Sequence, residues 1–181
     1  MTDIASSRRV SASWIMLLTL ASVATTLVFK CATPFPALAA LAAMYMRTRD
    51  GVAVAIAAWA ASQLVGFCWL EYPVTANSLA WGGAIGIAAV AGALAAHAAA
   101  TRAPRSFAAR LVLGYLAAFV AFKVAILAGA FALDGGWAAF AGDVLLSQFV
   151  RNAAVLAGLL LLHRLLTAAG MPSPRSEYVL A

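Results

Sequence analysis

Acidic residues are the scarcer charged class in this chain: six Asp and Glu among 181 residues, against twelve Lys and Arg. Charged residues of all kinds make up only 10% of it, and 65% is hydrophobic. A domain that folds in water needs far more polar surface, so the composition excludes a soluble globular domain and makes lipid the solvent for most of the chain. Thiols and imidazoles are sparser still, with two cysteines and two histidines. Cys31, Cys68, His97 and His163 form no CxxC and no His-Cys cluster, which argues against a structural zinc site. There is no HExxH, no GxSxG and no phosphate-binding GxxxxGK[ST] loop, so the chain does not itself hydrolyse ATP. No second domain and no internal repeat is visible.

What is present is alanine-rich and apolar. A hydrocarbon core of ~30 Å takes about 20 apolar residues per helix. The pattern predicts an all-α integral membrane protein with six transmembrane helices, over residues 10–29, 36–46, 51–66, 78–99, 111–133 and 144–168. The run over 14–29 after Arg8 and Arg9 is read as a retained helix; it is long for a signal peptide, and no small-x-small site follows it. The 36–46 helix is short for a span, so it is expected to be tilted or sunk among its neighbours. Residues 137–142 read as a shallow interfacial segment, and Asp143 as the N-cap of the last helix.

The cations set the orientation. With both termini inside, Arg8, Arg9, Arg47, Arg49, Arg102, Arg105, Arg110, Arg164 and Arg175 fall on the cytoplasmic side and only Lys30 falls on the outer loops. The net charge of +6 is thereby explained by anionic lipid headgroups, with no nucleic acid. The helix over 78–99 carries two small-residue rows, Gly82-x-x-x-Gly86 and Ala88-x-x-x-Gly92-x-x-x-Ala96, which favour close helix packing within the chain over contact with a second copy.

In this topology the polar side chains gather in the outer halves of the helices: Thr25, Thr26, Gln63, Lys123, Ser147, Gln148, Arg151 and Asn152. At 1.5 Å per residue, Arg151 lies ~12 Å below Asp143 and Lys123 ~15 Å below Leu133. Each buried cation costs at least ~2.5 kcal/mol. Glu71, Asp134 and Asp143 are placed at or beyond the boundary, leaving no acid in the cationic layer. An outward-opening polar cavity accounts for these positions together and suits an anionic ligand group such as a phosphate. The competing reading has Lys123 snorkelling outward and Arg151 bonding backbone carbonyls.

The stretch 63–75, QLVGFCWLEYPVT, reads as a lid or wall over that cavity. It holds Cys68, three aromatics (Phe67, Trp69, Tyr72), Glu71 and Pro73. Cys31 and Cys68 both fall at the outer face, where three readings stand: a disulfide, two inert small residues, or one soft ligand to a metal or metallocofactor. Of the two, Cys68 is preferred as that ligand for its aromatic company, with Cys31 in reserve. His97 and His163, near inner helix ends, leave room for a bis-histidine membrane cytochrome as an alternative from another class.

The segments Phe29-Lys30-Cys31-Ala32-Thr33-Pro34-Phe35-Pro36 and Gly66-Phe67-Cys68-Trp69-Leu70-Glu71-Tyr72-Pro73, in a six-helix alanine-rich chain of this size, carry a family likeness. Over residues 10–168 the protein resembles the substrate-binding S components of energy-coupling factor (ECF) vitamin transporters, most of all the BtuM-type, often solitary, cobalamin S components. The resemblance implies a bacterial cytoplasmic (inner) membrane protein that captures cobalamin (vitamin B12) from the outer side and carries it inward. It implies a cysteine thiolate as axial ligand to the cobalt of the transported vitamin, a role that falls on Cys68. Phe67, Trp69 and Tyr72 would then flank the corrin ring, Gln63, Gln148 and Asn152 would bond its amides, and Arg151 or Lys123 its phosphate. It further implies a transporter and not an enzyme, leaving chemistry on the axial ligand open, with an ECF coupling protein and ATPases as partners, or none. S components that share a coupling module carry AxxxA on the first helix. Here that helix offers only Ala21-x-x-x-Thr25, while Ala39-x-x-x-Ala43 lies on the second, which fits a solitary transporter. S components for thiamine, riboflavin or biotin are the alternatives within the class.

Overall fold

The computed structural model describes the backbone of residues 2–29 and 34–172, and the side chains of 10–24 and 34–172. All regular structure among these residues is helical. In order these are α1 (Thr2–Phe29), α2 (Phe35–Tyr45), α3 (Thr48–Cys68), α4 (Ala76–Arg102), α5 (Phe107–Ala132), a 3₁₀ turn (Trp137–Phe140) and α6 (Gly142–Ala168). Four of them, α3 to α6, are long and apolar enough to cross a membrane. Large apolar side chains such as Leu64, Ile87, Val120, Val124 and Leu161 face outward, while the interior is rich in Ala and Gly around fewer large side chains such as Trp14, Leu38, Leu41 and Met46. That inversion is what a lipid solvent demands, because burying Leu in place of lipid gains little and close backbone approach gains more.

The short helix α2 is the centre of the molecule. Nine consecutive residues, Phe35 to Ala43, are buried, and α3, α4, α5 and α6 all pack around it. A helix apolar on every side has no solvent face to keep and is stable only when surrounded. Its 11 residues rise only ~16 Å, about half the hydrocarbon thickness.

The small-residue rows of α4 act as sockets. A Cβ at Gly82 would come 2.6 Å from Gln63 Oε1, and one at Gly86 would come 2.8 Å from the Trp59 ring. Trp59 Nε1–H also donates to the Gly82 carbonyl, at 2.8 Å. The second row meets α5: a Cβ at Gly92 would lie 3.3 Å from the Ala118 carbonyl, and a Cβ at Gly114 would lie 3.5 Å from that of Ala96.

Several helix ends fall outside the expected limits. Thr75 caps α4 by accepting from Ser78 N–H, and Ser106 caps α5 by accepting from Ala109 N–H, each at 3.1 Å, so both helices start earlier than hydrophobicity alone indicates. The expectation of Asp143 as an N-cap is corrected. Ala141 holds that position with no side-chain cap, and Asp143 sits in the first turn of α6, where a carboxylate still meets the positive end of the helix dipole. The stretch 63–75 is likewise not one loop: α3 continues through Cys68, and only 69–75 is non-helical. Residues 137–142 do contain a distinct element, the 3₁₀ turn. It is entered through Gly135 and Gly136, with φ of +94° and +83°, a left-handed pair that side chains rarely adopt.

Candidate functional site

A cavity of about 680 Å³ opens at the end of the bundle where α3 and α5 finish and α2, α4 and α6 begin. One wall comes from α5 and is spaced i, i+3, i+4, i+7: Phe119, Phe122, Lys123, Ile126. A second comes from α6 at the same helical spacing: Val144, Ser147, Gln148, Arg151, Asn152. Side chains at these intervals share one helix face, so each helix contributes a single strip. Phe35 and Pro36 of α2, Ser62, Gln63 and Gly66 of α3, Ile85 of α4, Ala139 of the 3₁₀ turn and Asp143 of α6 complete it, with Leu70 and Tyr72 from the 69–75 loop.

Each polar group has a definite setting. Lys123 is buried, and its Nζ donates to the Ala139 carbonyl at 3.0 Å. The rings of Phe119 and Phe140 have centroids 5.9 and 5.4 Å from the ammonium, within cation–π range. Arg151 is exposed. Its Nε–H and Nη2–H both donate to Ser147 Oγ one turn earlier, at 3.1 and 2.6 Å. Asn152 Nδ2 donates to the Gln148 carbonyl at 2.9 Å, while its Oδ1 is buried with no partner among the described residues. Gln63 donates weakly to Ser62 Oγ at 3.4 Å.

The loop folds back onto the end of α3. Tyr72 N–H donates to the Gly66 carbonyl at 3.1 Å, and a Cβ at Gly66 would come 2.8 Å from the Tyr72 ring, so only glycine admits this fold. Tyr72 also meets Phe67 edge-on, with centroids 6.3 Å apart. The reversal requires Glu71 at φ +54°, a left-handed conformation that costs a non-glycine residue of order 1 kcal/mol.

Of the nine residues singled out from the sequence, Gln63, Tyr72, Lys123, Gln148, Arg151 and Asn152 line this cavity, and Phe67, Cys68 and Trp69 do not. Cys68 and Trp69 are exposed at the end of α3. Cys31 and Lys30 lie outside the described residues, as do the side chains of Thr25 and Thr26. Asp143 also lines the cavity, from the exposed first turn of α6. The aromatic wall of Phe35, Phe119 and Phe122 is absent from the sequence expectations, although the spacing of Phe119 and Phe122 around Lys123 is a readable signal. Among the described residues no group of three or more His, Cys, Asp or Glu is placed to hold a metal ion.

The two histidines are elsewhere. His97 is buried, its Nδ1 hydrogen-bonded with the Ala93 carbonyl at 2.9 Å and its ring packed against Gly51. His163 stacks on Tyr45 at 3.8 Å between centroids and tilts against Trp14 at 4.8 Å. Neither lines the cavity.

No family model, curated protein or solved structure matches the chain. Fold and composition together define a class: an all-helical, multi-pass membrane protein. Within that class it is distinguished by a mainly apolar cavity with a few convergent polar groups at one end of the bundle.

Proposed function

We propose that this protein is a vitamin-uptake protein of the bacterial cytoplasmic membrane that binds cobalamin from the outer side. In this reading six helical segments cross or enter the bilayer, both termini are inside, and the cavity faces outward. The observation that carries it is the cavity: aromatic walls, two cations and three carboxamides converge on about 680 Å³ at one end of the bundle. That volume is within the ~300–1,000 Å³ of sites that enclose a small organic ligand. The orientation is supported by Arg47, Arg49, Arg102, Arg105, Arg110 and Arg164, which belong to helix ends and a loop at the opposite end, as the excess of cytoplasmic cations requires.

A corrinoid is larger than the ligands such a volume encloses. It would fill the hollow with its side chains and lay its ring across the mouth, over the exposed end of α3 that carries Cys68. There a thiolate is the soft axial ligand suited to cobalt. Purified protein saturated with cobalamin is expected to be coloured, and Cys68→Ala is expected to shift the cobalt absorption bands. Bands unchanged in Cys68→Ala but shifted in Cys31→Ala would transfer the ligand role to Cys31, and a protein that takes up no corrinoid in calorimetry ends the cobalamin reading. The chain carries no ATP-binding loop, and its first helix lacks AxxxA, so transport is read as solitary. Corrinoid uptake in a host without a coupling module is the test.

A second reading, an S component for a smaller vitamin such as thiamine, riboflavin or biotin, is favoured by two observations: the enclosed volume and the position of Cys68 off the lining. Calorimetry with each vitamin separates it from the first. The packed surroundings of His97 and His163 give no similar support to a haem site; a Soret band abolished by His97→Ala would restore one.

A further inference from the structure

The two cations of the cavity are not equivalent. Arg151 is exposed and already directs two N–H groups at Ser147 Oγ. Lys123 is only 9% exposed, yet among the described residues its ammonium has a single acceptor, the Ala139 carbonyl at 3.0 Å. An ammonium carries three donors, so two remain for another partner. The ring faces of Phe119 and Phe140 beside it attract the charge but accept no conventional hydrogen bond. Among the described residues no carboxylate pairs with it. A buried ammonium left in this state is expensive, and side chains of this kind persist where a charge partner arrives with a ligand.

A second, independent observation on the facing helix also points to a ligand. Asn152 lines the same cavity, and among the described residues its buried Oδ1 has no donor. A buried carboxamide oxygen left unsatisfied costs free energy that a ligand N–H or O–H would recover. Asp143, exposed near the mouth, opposes ligands of high negative charge and so favours a single anionic group.

We propose that Lys123 is the anchor of an oxyanion subsite in this cavity, taking one phosphate or carboxylate group of an organic solute, while Asn152 Oδ1 accepts a hydrogen bond from the same molecule. Arg151 acts at the entrance, raising the capture of anions without holding the bound group. The inference rests on reading the cavity as a solute site, but not on the solute being a corrinoid.

The test uses pairs of solutes of which one member lacks the anionic group: riboflavin 5′-phosphate and riboflavin; thiamine monophosphate and thiamine; biotin and its methyl ester; and cyanocobalamin and dicyanocobinamide, which lacks the entire nucleotide arm with its phosphodiester. Calorimetry on the purified protein is expected to show the anionic member of one pair binding about 10- to 150-fold tighter, the range of a charge-assisted hydrogen bond. Lys123→Gln is expected to erase that preference and leave the affinity of the member lacking the anionic group unchanged. Lys123→Arg should retain most of the preference, and Arg151→Gln should slow association without removing it. A wild-type protein with no preference in any pair overturns the proposal, even if Lys123→Gln fails to fold. So does a Lys123→Gln variant that weakens both members alike, since that is the behaviour of a packing residue. If Lys123→Gln strips copurifying phosphatidylglycerol and leaves every solute affinity unchanged, the oxyanion is that of a lipid headgroup and the solute subsite is rejected. A preference confined to a pair other than the corrinoids removes the cobalamin reading and leaves the subsite standing.

Discussion

At the scale of single residues, hydrogen bonds separate groups that hold the fold from groups available to a ligand. Tyr115 is buried on α5, and its hydroxyl donates to the Phe149 carbonyl on α6 at 2.6 Å. Tyr115→Phe removes this bond and is expected to cost about 1 kcal/mol of stability, read as a lower melting temperature in detergent with ligand affinity little changed. Arg151 contrasts with it. Exposed and bonded only within its own helix turn, it contributes little to the fold, so Arg151→Ala is expected to weaken ligand capture far more than it lowers the melting temperature. Equal loss of both would mark it as a packing residue. The polar members of the candidate site were legible from the sequence because a cation or carboxamide in an apolar helix is conspicuous. The aromatic members were not, because a phenylalanine in such a helix is equally at home facing lipid.

At the scale of elements, glycine placement decides how α3 and α4 meet. Gly86 faces the Trp59 ring, whereas Gly83, about one turn earlier, would set a Cβ in open space with nothing within 4 Å. Gly86→Ala therefore overpacks the interface and is expected to cost about 1–3 kcal/mol. Gly83→Ala is expected to be neutral, or stabilising by up to about 1 kcal/mol through helix propensity. Thermal unfolding of the two variants side by side checks the socket, and an equal effect would refute it. The 3₁₀ turn depends on the same kind of position. Gly136 combines φ of +83° with a Trp81 ring that leaves no room for a Cβ, and Trp81 Nε1–H donates to the Asp134 carbonyl at 2.9 Å. This packing holds the turn where Ala139 meets Lys123.

At the scale of the whole molecule, the two ends of the bundle differ in kind. One end holds the cavity. The other is closed by Trp14, His163, Tyr45 and Phe107 in a chain of ring contacts spanning α1, α6, α2 and α5, with Ser11 Oγ donating to Asp50 Oδ2 at 3.0 Å beside it. A molecule with its cavity at one end and packed rings at the other suits capture from one side of a membrane. In a Cys31→Ser background, the exposed Cys68 is expected to react with a membrane-impermeant maleimide added to intact cells. Labelling only after permeabilisation would invert the proposed orientation. The residues themselves declared a lipid-embedded helical chain, its long helices and the distribution of its cations, because those follow from composition and from periods along one strand of sequence. Only the tertiary structure decided that the short alanine-rich α2 is the buried centre, that Asp143 joins the cavity while Cys68 stays outside it, and that Lys123 keeps two donors unspent. Each of those depends on which faces of separate helices meet, and that is set by packing between segments far apart in the chain.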